Sequence, residues 1–549
     1  MPRTENDILS FIKTCYAEHK SYWQDKSSEL KKYKDAYETR FWKGQYFNDD
    51  MIRVETSDAF SYIEGFIASL FSKTPAVVIG ADIASGSGDP KLAQAAANRF
   101  LYSQREQLEI ASRLALIYEF SALKLIPCPS NEMLDKVTIE AIPCWEVIVD
   151  RDSSSEDKSR FIGHNYFMTL VDAREKFGRK KFNPIPKIEY FDENRSRSTS
   201  YKAGTSDLPE DYLYIEIVEL YDLLYDEVYY WSPNYSSGDS LLERSRIPIR
   251  TYNDRPLPSI TTLYYSRIPS KPMEGLSALA RVYDQFYEKN VLRTYWANAV
   301  RRDSRQYLYK EGIIDEESLA KITAGVDGAM IPVDNDTLDG IIRSVGVEPI
   351  SSNFDRYLAS IEGDINRGSI LAPFSGGQAS RATATEITAL AQYSASEIGK
   401  MAREKDQALE KLVTIYIRLL DLLSDEGETA VLEVEGTSRA ITPEDLEGKF
   451  RINALDQGST PLSDAMRKNN LLSLLPTLQA LGVDNRKVLE ELLRAFELPK
   501  DFAEVAAPAP TGPTPSPSAA DVRNIETGVE EAITGAERTA RALGGGNLG

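Results

Sequence analysis

Apolar positions in the first 45 residues fall at Leu9, Ile12, Tyr16, Trp23, Leu30, Tyr33 and Tyr37 among many charges. That near-helical spacing predicts one helix, interrupted at Gly44. A second helix is predicted over residues 58–72, where Phe60, Ile63, Ile67, Leu70 and Phe71 recur before Pro75. Residues 84–90 read as a flexible Ser/Gly loop, and Pro90 suits the first turn of a third helix running to about Phe120. From Lys124 to about Ser266 the spacing shortens to strand-type runs over 137–142, 145–149, 212–225, 228–231 and 259–265.

Helical spacing returns over residues 274–302 and again over 354–367, with a small mixed segment at 305–347 between them. A Gly/Ser-rich break over 369–382 precedes the strongest pattern in the chain. From 383 to 423, Ile387, Leu390, Ile398, Met401, Leu412, Ile415, Leu419 and Leu422 recur with Gly399 as the one glycine and no proline. At 1.5 Å per residue such a helix is about 60 Å long. Its length calls for cover from a coiled-coil partner, a bundle or neighbouring subunits. A short β return follows at 430–434 and 450–453, then two helices over 462–481 and 485–496. Five prolines between 503 and 520 mark an extended linker, and the tail beyond it is expected to be mobile. The pattern as a whole is α+β and helix-dominated.

Composition narrows the functions available. At roughly 150 residues per domain, 549 residues suggest three or four domains or one with long insertions. The 42% apolar and 27% charged fractions are ordinary for a globular chain. With 64 basic and 84 acidic residues the net charge is −20, which argues against a surface that coats nucleic acid or anionic membrane. Three cysteines without a CxxC, and two histidines, fit neither a disulfide framework nor a zinc ribbon, and disfavour most histidine catalysis. No signal-peptide run opens the chain, and nowhere do 18 uncharged apolar residues adjoin, so a cytosolic chain without membrane spans is expected. Residues 205–243 hold ten acids, seven tyrosines and no Lys or Arg, which reads as a solvated acidic strand face.

Catalytic motifs are sparse. The Gly86/Gly88 pair lacks a third glycine, and no GxxxxGK[ST] occurs to cradle a triphosphate. The run from Asp334 to Gly340 fails as a calcium loop, because Leu338 and Val345 occupy ligand positions five and twelve. Cys128 and Cys144 read as small core residues, His164 as a half-buried strand residue, and no acidic pair is singled out by an apolar setting. No catalytic residue, metal ligand or cofactor is therefore assigned, and no enzyme activity is expected. One basic cluster, Arg293, Arg301, Arg302, Arg305 and Lys310, faces only Asp303. It is either a solvated helix end or a surface for an anionic partner or nucleic-acid backbone.

The order of these elements resembles the portal, or head-to-tail connector, proteins of tailed bacteriophages, most closely those of short-tailed phages. The resemblance covers roughly residues 7–502. Two stretches carry it locally: Ile142-Pro-Cys-Trp-Glu-Val-Ile-Val-Asp-Arg151 with Met168-Thr-Leu-Val-Asp-Ala-Arg-Glu-Lys-Phe-Gly178, and Ser380-Arg-Ala-Thr-Ala-Thr-Glu-Ile387 opening the long helix. It implies a portal-type fold. Residues 1–270 would form a wing, 271–304 a first stem helix, 305–347 a clip, 348–368 a second stem helix and 369–382 a tunnel loop. Residues 383–424 would be a spine helix, 425–455 a β return to the wing, 456–502 crown helices, and 503–549 a Pro/Ala-rich linker and tail.

The resemblance further implies a ring oligomer, usually of about twelve copies, at one capsid vertex of the virion. Double-stranded DNA would pass through its channel during packaging and ejection. The terminase motor, then a tail adaptor, would dock on it, with scaffolding and major capsid proteins as further partners and assembly in the bacterial host cytoplasm. Ser375, Gly376, Gly377, Gln378, Ser380 and Arg381 would be the DNA-facing tunnel-loop residues, and the Arg293–Lys310 cluster a partner or DNA contact at the stem and clip. Alternatives are another virion part, a tail adaptor or internal core protein, or a DNA-processing enzyme. The last would need the P-loop or acidic metal cluster that the sequence lacks.

Overall fold

Thr4 opens the first helix, α1 (Glu5–Tyr37), with a reciprocal cap: its hydroxyl accepts from the Asp7 amide, and the Asp7 carboxylate accepts from the Thr4 amide. The helix ends before Gly44, because Thr39 turns to φ 55°. This computed structural model describes residues 3–42, 51–81, 88–130, 132–178, 181–185, 209, 212–251, 253–303, 307–309, 316–317, 342–344, 352–368, 384–425, 427–434 and 437–454. Two compact units divide the chain, Met1–Ser463 and Asp464–Gly549, and the described residues belong to the first. The expected helices at 462–481 and 485–496 and the Pro-rich tail lie outside the described residues, as does most of 305–347.

The remaining helices are α2 (Asp58–Leu70), α3 (Pro90–Ser103), α4 (Arg105–Ile117), α5 (Leu170–Phe177), α6 (Tyr283–Asp303), α7 (Ser352–Gly368) and α8 (Ala384–Leu423). Where one helix was expected from 90 to 120 there are two. Gln104, at φ −99° and ψ 11°, bends the chain between them while its backbone keeps its bonds to Phe100 O and Leu108 N, and its side-chain oxygen accepts from the Ile139 amide and the Thr138 hydroxyl, both at 3.1 Å. α5 interrupts a stretch expected to be all strand; Thr169 caps its start and Gly178, at φ 78°, ends it. α6 begins later than residue 274, because 271–275 are strand and Leu279–Arg281 a 3-10 turn. The 383–423 pattern corresponds to α8, a single helix of 40 residues.

The strands are β1 (Val77–Ala81), β2 (Ser121–Pro127), β3 (Val137–Pro143), β4 (Val147–Val149), β5 (Phe161–Thr169), β6 (Tyr214–Asp222), β7 (Glu227–Trp231) and β8 (Leu241–Arg246). They continue with β9 (Ile260–Leu263), β10 (Arg267–Ile268), β11 (Lys271–Gly275), β12 (Tyr307–Tyr309), β13 (Ile342–Ser344), β14 (Ala430–Val434), β15 (Thr437–Ile441) and β16 (Phe450–Ala454). A three-stranded sheet runs β3-β2-β9 and a five-stranded one β4-β5-β6-β7-β8, all antiparallel. β16 returns across the chain to pair with β1, setting Val77 opposite Ala454.

Strand alternation in β6 sorts the five-stranded sheet into two buried faces. Val218 and Leu220 meet Ile8, Leu9 and Ile12 of α1, together with Tyr229 and Trp231 of β7. On the other face Ile215 and Ile217 meet Leu170, Ala173 and Phe177 of α5. Both faces of β6 are covered, so its own acids are not part of the solvated set expected from the sequence, whereas Asp239 and Glu243 of that set are exposed. Glu216, Glu219 and Asp222 are 7%, 3% and 1% exposed. Each has a partner: Tyr16 donates to Glu216 at 2.9 Å, Lys124 to Glu219 at 2.8 Å and Arg3 to Asp222 at 2.8 Å.

The main core gathers α2, α3, α4, the three-stranded sheet and the second half of α8. From Ile398 onward α8 buries Met401, Ala408, Leu412, Val413, Tyr416, Leu419 and Leu420 within its own chain. For this half, the cover that the helix's length calls for comes from its own chain. Two lysines neutralise helix C-termini, where backbone carbonyls lack partners and carry partial negative charge. Lys405 of α8, 5% exposed, donates to Leu70 O at the end of α2 at 2.6 Å and lies 5.0 Å from the Phe71 ring. Lys136 donates to Leu423 O at the end of α8 at 3.0 Å. Cys15 and Cys144 are buried, whereas Cys128, expected in the core, is exposed.

Lys405→Met keeps the apolar stem and removes the donor from a buried helix end. It is expected to lower stability by about 1.5–3 kcal/mol in urea unfolding. Lys400→Met, five residues earlier on the same helix and exposed, should stay within about 0.5 kcal/mol of the parent.

Candidate functional site

The sequence placed its candidate contacts on the helix α6, the insert after it and the loop before α8. Ser375, Gly376, Gly377, Gln378, Ser380, Arg381, Arg305 and Lys310 lie outside the described residues. Arg293 is half-buried on α6, and Arg301 and Arg302 occupy the last turn of the same helix. Only α6 and its surroundings can therefore be built up as a site.

α6 is held to the body by a ladder of polar side chains. Asn290, Thr294 and Asn298 recur every four residues, so they stack on one face about 6 Å apart. An extended segment, residues 51–57, lies along them and rises about 6.6 Å for every second residue. The two repeats match. Thr56 N–H donates to Asn290 Oδ1 at 2.9 Å, Val54 N–H to Thr294 Oγ1 at 3.0 Å and Ile52 N–H to Asn298 Oδ1 at 2.9 Å. Asn298 Nδ2 completes the pattern by donating to Ile52 O at 2.8 Å. The three acceptor residues are 0%, 4% and 6% exposed, so the amides of this segment, buried at Thr56, are satisfied by a helix rather than a strand.

On another side, α6 pairs with α7. Lys289 joins Asp58 of α2 at 3.1 Å and Glu362 of α7 at 3.4 Å, and Tyr357 donates to Glu288. Ile361 is buried in the contact. What this leaves outward is aromatic: Tyr295 and Trp296 are 63% and 46% exposed. Within the insert between the two helices, β12 and β13 pair antiparallel, Tyr307 opposite Ser344.

Two buried polar clusters stand apart from this site, each assembled from residues far apart in the sequence. In the first, Lys124 of β2 reaches Glu219 at 2.8 Å and His164 Nδ1 at 3.2 Å, and Tyr221 donates to Glu219. Lys124 and Glu219 side chains are 10% and 4% exposed, and His164 is 3% exposed rather than half-buried as expected. Its members are nearly closed to solvent and are paired with one another. In the second, Lys26 of α1 bridges Glu119 and, at 3.9 Å, Glu274, with Tyr22 donating to Glu119 at 3.3 Å. Burial pushes the Glu119 carboxyl above its ordinary value, against the pull of Lys26. Gly275 lets the backbone cross there, since a Cβ on it would sit 1.9 Å from Glu119 O. Lys124 had no visible signal, being one polar residue in an apolar strand. Glu219 does carry a signal, an acid alternating with apolar residues, but that pattern fits a solvated strand face equally well.

Among the described residues, no group of three or more His, Cys, Asp or Glu could hold a metal ion, and no helix is long and apolar enough to cross a membrane. No protein-family model matches the chain, and no curated protein matches it in sequence.

Asn290→Ala strands the buried Thr56 amide, which should cost about 1–3 kcal/mol in denaturant unfolding. The variant should also be cut by protease within residues 51–57 at least several-fold faster than the parent. An unchanged cutting rate would show that the ladder does not hold the segment.

Proposed function

We propose that this chain is the portal protein of a tailed, short-tailed-type bacteriophage: a ring at one capsid vertex through which double-stranded DNA is packed and later ejected. The observation that carries the reading is the order of elements from α6 onward. A helix of 21 residues gives way to an insert opened and closed by two paired strands, and a helix of 17 residues follows. A short break then leads to a helix of 40 residues and a β return that pairs with the N-terminal region. The ladder on α6 supports the same reading, since a channel helix loaded by moving DNA needs a firm anchor on the body. The exposed Tyr295 and Trp296 give the α6–α7 pair an apolar side for a neighbouring copy.

In such a ring the net charge of −20 per copy is multiplied around the channel. Like charge lets a duplex slide, because tight phosphate binding would stall it. Arg381 and the Arg293–Lys310 cluster would then act as sparse contacts that limit slippage. The motor and tail adaptor would dock at the insert carrying β12 and β13. A virion part of another kind, such as an adaptor, has no need of two helices flanking a paired-strand insert.

Electron microscopy of the purified chain should show closed rings with a central hole wide enough for a duplex; a monomer at every concentration would overturn the proposal. Arg381→Ala should leave rings intact while lowering the DNA retained in filled particles several-fold. Adding ATP or Mg²⁺ with DNA to the pure protein should give no hydrolysis or cleavage, and clear turnover would favour a DNA-processing enzyme instead.

A further inference from the structure

The links across the joint between the two sheets include several polar ones. Lys124 of the three-stranded sheet enters the five-stranded one to meet His164 and Glu219. Tyr221 of β6 hydrogen-bonds Ser259, just before β9, at 2.8 Å, and Thr262 of β9 donates to Glu156 at 2.8 Å. Ile162 and Val149 add apolar contact at the same joint.

His164 is the unusual member. An ammonium can only donate, so the bond from Lys124 Nζ requires a lone pair on His164 Nδ1. The neutral ring then carries its proton on Nε2, which points to Glu146 Oε2 at 3.7 Å. Lys176 of α5 also acts on the ring and Tyr166 of β5 stacks on it, centroids 4.7 Å apart, while Tyr221 of β6 and Tyr230 of β7 act on Glu219, beyond Lys124. Glu140 of β3 and Glu243 of β8 stand exposed at the edge. Glu219, the buried carboxylate among them, already accepts from Lys124 and Tyr221.

The geometry points to an acid-sensitive joint: one proton taken from solvent onto His164 Nδ1 turns the Lys124–His164 hydrogen bond into a contact between two cations and loosens the five-stranded sheet from the three-stranded one. Burial and then the Lys124 ammonium hold the imidazole well below its ordinary value. For a base depressed in the folded state, stability is fully present above the unfolded value of about 6.5 and is lost as pH falls below it. Burial pushes the Glu219 carboxyl up, but Lys124 and Tyr221 outweigh it and hold the group below its ordinary value. Its contribution is therefore kept until pH falls below about 4.5, well after the histidine step. The joint has two acid steps, and His164 sets the first.

Hydrogen–deuterium exchange of the full chain between pH 7.5 and 5.0, corrected for the intrinsic pH dependence of exchange, tests this. Peptides from β2 and β5 should lose protection about tenfold for each pH unit below about 6.5, as expected for uptake of one proton. A peptide from residues 408–420 of α8 should keep its protection. His164→Asn retains an acceptor for Lys124 without a titrating ring and should abolish the loss between pH 6.5 and 5.0. Equal loss in that variant, no loss in the parent, or a loss in α8 as large as that in β2 and β5 would each overturn the proposal. The comparison of β2 and β5 with α8 in the parent decides the matter even if the variant fails to fold.

Discussion

Extended backbone that lacks a neighbouring strand on at least one side must still place its amide hydrogens, and this chain solves that problem repeatedly with helical side chains. Asn290, Thr294 and Asn298 read residues 52, 54 and 56. Gln94 and Asn98 of α3 accept from Ile79 and Val77 of β1 at 3.1 and 2.8 Å. Gln104 and Gln107 accept from Ile139 and Ala141 of β3 at 3.1 and 3.3 Å. Each time, one helical turn spans about the length of two extended residues. Sheet edges that would otherwise recruit another chain are closed, and helices are locked to strands in a fixed register.

The same economy of polar groups governs the charges. Acids on β6 are buried because each meets a partner brought from far along the chain, Lys124 lying 95 residues from Glu219 and Arg3 lying 219 from Asp222. Such pairs add little net stability over apolar packing, but leaving either partner alone is costly. They therefore fix which surfaces meet. The five-stranded sheet can sit on α1 and on the three-stranded sheet in one arrangement only, the one that satisfies Arg3, Tyr16 and Lys124 together.

How far the sequence disclosed this depends on the range of the forces involved. α8 was legible nearly to the residue, because its apolar repeat extends over 40 positions with no proline and a single glycine. β3, β6 and β7 were legible from alternation and turn residues. The break at Gln104 was not, since no Gly or Pro marks it and the partner of its side chain, the Ile139 amide of β3, lies 35 residues further along the chain. The start of α6 was misplaced for a similar reason: Lys271–Gly275 pairs with β10, which helical periodicity cannot reveal. Burial of Glu216, Glu219 and Asp222 was missed because the cations that permit it stand elsewhere in the chain. Of the candidate site, the ladder residues were visible as an Asn/Thr repeat at intervals of four, but without the extended segment the repeat has no meaning.

α1 brings a consequence for biosynthesis. Its apolar stripe, Ile8, Leu9 and Ile12, is covered by Val218, Leu220, Tyr229 and Trp231, and Arg3 waits for Asp222. With 219 residues between those two, a ribosome adding 5–20 residues per second needs roughly 10–45 s to deliver the partner. For that interval α1 is a nascent helix with an open hydrophobic face. Closing β1 against β16 takes longer still, because Val77 pairs with Ala454. The chain thus emerges with its earliest helix dependent on its later strands, and it places a demand on whatever holds nascent chains apart until those strands arrive.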